Sequence, residues 1–140
     1  MAYCELEDIL QMVPPEDLAD LTTEAGEAPD LEVVAQAIGR ADAEIDSYLA
    51  VRYALPLSPA PARVQGLSQD LALYHLYSRR SVMPEVHRER YREALAFLKD
   101  VAGGRARLEG GAAEPAPALG EAAQIRSDPR TFTRSRQEDW

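Results

Sequence analysis

Residues 43–57 read AEIDSYLAVRYALPL, and the way this stretch is read decides the fold. It opens as a carboxylate-bearing amphipathic helix, passes Tyr48, Arg52 and Tyr53, and runs into Pro56. Upstream, apolar residues recur at Leu31, Val34, Ile38, Ala41, Ile45 and Tyr48, in steps of three and four, and the stripe carries on to Arg52/Tyr53. That spacing is one face of an α-helix. Asp30 stands where an N-cap belongs, because its side chain can accept from the free N–H groups of the first turn. Proline disfavours α geometry in the residue before it, so the helix must stop short of Pro56. The segment LPLSPAP that follows predicts an extended, stiff connector.

The same period appears on both sides of the connector. Val64, Leu67, Leu71 and Tyr74 form a second stripe starting near Ala62, widened by Leu73, Leu76 and Tyr77. RRSVMPE interrupts it, and Pro84 suits the first turn of a further helix carrying Tyr91, Leu95, Leu98 and Val101. Gly103 and Gly104 end that helix. Near the N-terminus, Leu6, Ile9 and Leu10 share one side, and Pro15, Glu16 and Asp17 suit a helix start. The expectation is an all-α fold: a small bundle of four to five helices over residues 1–104. Its core draws on Leu31, Val34, Ile38, Ile45, Leu67, Leu71, Leu95 and Leu98. Residues 105–123, rich in Gly, Pro and Ala without a period, read as a flexible linker or loop. Residues 124–140 read as an extended C-terminal docking arm.

Composition supports this and excludes much else. The chain has 140 residues, 46% hydrophobic but only 6% aromatic, a balance that favours helices over sheets. Its one cysteine, Cys4, rules out an internal disulfide framework and fits a reducing cytoplasm. The acidic opening MAYCELEDIL lacks the cationic region of a secretory signal, and no apolar run approaches the length of a membrane span. The net charge of −9 is unevenly placed. Residues 1–60 hold 13 acids against Arg40 and Arg52, a net −11. Residues 61–107 hold nine bases against five acids, a net +4. Halves of opposite sign on one small domain can attract neighbouring copies.

Few constellations carry chemistry. Asp42 and Asp46 lie four apart on one helix face, a pair able to raise a pKa or hold a cation, but such pairs arise by chance among 24 acids. His75 and His87 have no ligand-like spacing, Cys4 has no evident base, and GGRARLEGG is not a phosphate loop. No catalytic residue, metal ligand or cofactor is predicted. The arginines 79, 80, 88, 90 and 92 are interleaved with Glu85, Glu89 and Glu93, which reads as a salt-bridged surface rather than a duplex-binding patch. The tail is different. Phe132 and Trp140 stand among Arg130 and Arg134, the residue types that anchor interfaces. Tyr48, Arg52, Tyr53, Arg79 and Arg80 are the candidate subunit contacts on the domain itself, and for the two tyrosines a place in the core is the equal alternative.

AEIDSYLAVRYALPL, with LSQDLALYHLYSRR (residues 67–80) and RYREALAFLKDVAGG (residues 90–104), resembles the Mu-type phage neck proteins, a family first catalogued as a domain of unknown function. MAYCELEDIL and DPRTFTR (residues 128–134) resemble that family's two ends. The resemblance implies a non-enzymatic virion protein of the phage neck, an adaptor or head-completion protein made in the host bacterial cytoplasm. It further implies a homo-oligomeric ring of twelve copies beneath the portal protein. A downstream neck or tail protein would be a further partner, and DNA would pass through only as cargo, with no membrane involved. The alternatives are another neck role, stopper or tail terminator, and, outside the virion, a small metal-dependent enzyme or regulator. The ending SRQEDW departs from the more basic family ending.

Overall fold

The computed structural model describes residues 2–24 and 26–108. Five helices follow one another: α1 (Leu6–Leu10), α2 (Pro15–Thr22), α3 (Leu31–Leu49), α4 (Ala62–Ser78) and α5 (Glu85–Ala102). No strand occurs among the described residues, so the fold is all-α. Helices α3, α4 and α5 pack on one another as a three-helix bundle, while α1 leans on α3 and α4, and α2 on α4.

The helix ends follow local chemistry. Asp30 caps α3, its Oδ1 accepting from Glu32 N at 3.0 Å and Val33 N at 3.4 Å. Prolines 14, 61 and 84 occupy the caps of α2, α4 and α5, where a missing N–H removes nothing the helix needs. Gly104, at φ +86°, turns the chain out of α5. A positive φ of this size favours glycine, and a Cβ there would also press on the Arg52 guanidinium, 3.1 Å from Nη1.

Val34, Ile38, Ala41, Ile45 and Leu49 of α3 meet Val64, Leu67, Leu71 and Leu76 of α4 and Ala94, Leu98 and Val101 of α5 in one core. Three expectations need correction. Leu31 is 59% exposed, because the stripe curls off the bundle at the first turn of α3, and Leu95 is only partly buried. The helix also stops at Leu49, leaving Arg52 and Tyr53 in the connector. That connector is bent rather than extended, with cis peptides at Leu55–Pro56 and Ser58–Pro59 and Leu57 fully buried.

Candidate functional site

The residues before α1 are fastened to the bundle by one tyrosine. Tyr3 N donates to Asp42 Oδ2 at 2.9 Å, and Tyr3 Oη donates to Asp46 Oδ1 at 2.6 Å. The same Oη accepts from Leu57 N at 3.3 Å, so Tyr3 joins the N-terminal segment, α3 and the proline connector. Asp42 also accepts from Ser68 Oγ of α4 at 2.6 Å, with the Cys4 sulfur 3.2 Å from that hydroxyl. Burial pushes the Tyr3 phenol up to about 12, helped by its bond to Asp46, and pushes the Cys4 thiol up to about 11. A thiol held protonated is a poor nucleophile and a poor ligand. Burial also raises the Asp42 carboxyl, against the Ser68 and Tyr3 hydrogen bonds that favour its ionised form. Asp42 and Asp46 are thus brought together around Tyr3. Among the described residues no group of three or more His, Cys, Asp or Glu side chains could hold a metal ion.

A second polar cluster ties the three long helices together. Glu44 of α3 accepts from Tyr91 Oη of α5 at 2.9 Å and meets His75 Nε2 of α4 at 3.1 Å. Tyr74 stacks on Tyr91 with ring centroids 3.7 Å apart. Desolvation lowers the His75 pKa, outweighing the Glu44 hydrogen bond, and Tyr91 is pushed up to about 12 by burial and by Glu44. His87 lies buried against the Tyr77 ring, and its pKa is lowered by desolvation and by Arg90.

The candidate contact residues fall in three places. Tyr53 is in the core, 7% exposed, and its hydroxyl accepts from Leu108 N at 3.0 Å, fastening the chain beyond α5 to the connector. Tyr48 is half-buried, and Arg52 is exposed over Gly104. Arg79 Nη1 donates to Leu21 O at 2.6 Å, and Arg80 Nη2 donates to Asp20 O at 2.9 Å and Thr23 O at 3.3 Å. These guanidinium groups therefore satisfy carbonyls at the end of α2, where cations are favoured. Arg130, Phe132, Arg134 and Trp140 lie outside the described residues. Sequence reasoning missed Tyr3, Ser68 and Glu44, whose partners stand far along the chain and leave no local signal.

Two concave surfaces stand out among the described residues. Along the outer side of α3, Leu31, Ala35, Gly39 and Ala43 face away from the bundle. With Ala2, Glu5 and Leu6 they enclose a groove of about 730 Å³, floored by Val34 and Ile38 and bordered by Glu5, Asp42 and Asp46. A smaller cleft of about 300 Å³ lies between Arg52, Tyr53, Gly104, Ala106 and Arg107. One surface is apolar with an acidic border, and the other is cationic. They belong to the oppositely charged parts of the sequence only in part, since Arg52 is one of the two bases before residue 60.

A family model described as Bacteriophage Mu, Gp36 matches residues 3–127. The chain belongs to that family. It is also 32% identical over 110 residues to "Gene product J" of Escherichia phage Mu, which covers 78% of this chain and 77% of that protein. The resemblance read from the helical segments therefore holds, and the matched residues include all five helices of this Gp36-family chain. DPRTFTR, residues 128–134, falls beyond them. Among the described residues no helix is long and apolar enough to cross a membrane.

Proposed function

We propose that this chain is a structural head–tail connector of a tailed phage, an adaptor or head-completion protein without catalysis. It assembles as a ring of twelve copies under the portal, and DNA passes through the ring. The observation that carries the reading, beside membership of a Mu phage family, is the division of charge. Residues 1–60 are net −11 and residues 61–107 net +4, a partition that would give one copy two unlike surfaces. Two different surfaces that match one another generate a head-to-tail contact, and repeated by rotation such a contact closes into a ring. Exposed ion pairs contribute on the order of 0–1 kcal/mol each, so apolar contact must supply most of the affinity.

On this reading the acidic excess also keeps passing DNA from sticking, since like charge repels phosphate. The virion neck is the expected location, with the portal on one side and a neck or tail protein on the other. The C-terminal arm, residues 124–140, docks on another subunit through Phe132 and Trp140, with Arg130 and Arg134 pairing beside them. Deletion of residues 124–140 tests this: the domain should keep its helical circular dichroism while stable attachment to portal is lost. Full portal binding by the truncated protein would remove the arm from the account. A tail-terminator or stopper role would show instead as binding to tail or neck protein with none to portal.

A further inference from the structure

The α3 groove is a space the domain does not fill for itself. Leu31 is exposed, and a Cβ added at Gly39 would meet no atom within 4 Å. Among the described residues that line it stand three carboxylates and no cationic side chain. Its occupant should therefore be an apolar side chain in basic surroundings. The chain carries one such segment outside the described residues. Residues 125–136 read IRSDPRTFTRSR: Ile125 and Phe132 with four arginines against a single acid, a net +3.

Reach allows the two to meet. The last described residue, Leu108, is fixed to Tyr53 just beyond the end of α3. Gly39 lies ten residues back from Leu49, about 15 Å along the helix. The fifteen residues 109–123 span roughly 20 Å as a coil, and about 50 Å drawn out. Joined by so short a tether, the segment meets its own groove at an effective concentration on the order of millimolar, well above that of any other copy in dilute solution.

We propose that in the unassembled protein residues 125–136 lie in the α3 groove of their own chain, with Phe132 over Ala35 and Gly39 and the arginines against Glu5 and Asp46. The contact concerns the free chain and stands whether or not the chain is a connector. If the arm docks elsewhere on assembly, it must first leave this groove.

Trp140 is the only tryptophan, so the full-length chain carrying Trp140→Phe and Phe132→Trp reports on residue 132 alone. Its fluorescence should be blue-shifted and shielded from acrylamide, relative to a free peptide of residues 124–140 with the same two changes. Shielding should not change on dilution. Adding Gly39→Lys, which fills the groove and places a cation in it, should abolish the shielding while leaving the helical circular dichroism and thermal transition in place. Ala35→Lys, one turn away, serves as a second blocking variant should Gly39→Lys unfold the chain. An exposed tryptophan in the parent, shielding that survives the lysine in a folded chain, or shielding that fades on dilution would each overturn the proposal. The last result would make a second copy the occupant. None of these outcomes bears on portal binding, so the two readings fail separately.

Discussion

Helix α3 has two faces made of similar residues with opposite fates. On one, Ala41, Ile45 and Leu49 are covered by α4 and α5. On the other, Leu31, Ala35, Gly39 and Ala43 border an open groove. The difference lies in size and in what stands opposite. Branched side chains fill the space toward α4, where each apolar residue removed from water gains roughly 1.5–3 kcal/mol. Small residues on the far face leave room for a chain to approach closely, and no helix of the domain takes it. A helix that builds the core with one side can thus offer its other side to a partner without disturbing the fold.

The hardest blow to that contrast is a charge on each face. Ile45→Asp, at a residue with no exposure, should cost about 4 kcal/mol or prevent folding, because an unpaired carboxylate would enter a packed core. Ala35→Asp, on the open face, should change stability by no more than about 0.5 kcal/mol. Urea unfolding of the two variants side by side checks both. Equal losses would mean that the groove face is packed as tightly as the core.

Tyr3 stands where the two faces meet. Tyr3→Phe removes the donor to Asp46 and leaves the buried Leu57 N–H without its acceptor, at a cost of about 2 kcal/mol. The same change loosens the N-terminal segment that forms one wall of the groove, leaving it the backbone bond to Asp42. Faster amide exchange over residues 2–10 than over α4 would show it. Uniform exchange across the chain would mean that the clasp is not local.

The covered side should also respond to acid. His75 and His87 have pKa values lowered by burial, so the folded chain binds fewer protons than the unfolded one as pH falls through about 6.5. Their contribution is fully present above that value and is lost progressively below it, until the folded-state values are passed. Arg40 and Arg90 strengthen the effect and Glu44 opposes it. Unfolding free energy should therefore decline from pH 7 toward pH 5.5, and His87→Phe should flatten the slope. An unchanged slope in that variant would leave His87 out of the account. The smallest effect belongs to the groove: Gly39→Ala should stabilise the helix by roughly 0.5–1 kcal/mol, since glycine costs that much in a helix interior and the added methyl clashes with none of the described residues.

How much of this the sequence disclosed depends on the range of each interaction. The Asp30 cap, the start of α4 at Ala62, the stop at Gly103–Gly104 and most of the core were legible, because each rests on periodicity or on a residue and its near neighbours. Leu31 was misread because a stripe defines a face without saying where the neighbouring helix ends. The bent connector was misread because proline content limits φ and says nothing of the burial of Leu57, which draws the chain onto the core. Of the contact candidates, Tyr53 fell in the core and Arg79 and Arg80 at the end of α2. Their partners lie 55 to 60 residues away, beyond the reach of any local pattern. The groove had no signature, since small residues on a helix look alike whether they face a partner or water.

The measurement that bears most directly on the connector reading is the mass distribution of the purified full-length chain, alone and mixed with portal protein, by mass photometry. The account predicts complexes in which portal carries many copies of the chain, with a largest species matching twelve. Portal and chain that remain separate at every ratio, or a chain that closes into a two-fold dimer using one patch twice, would contradict it.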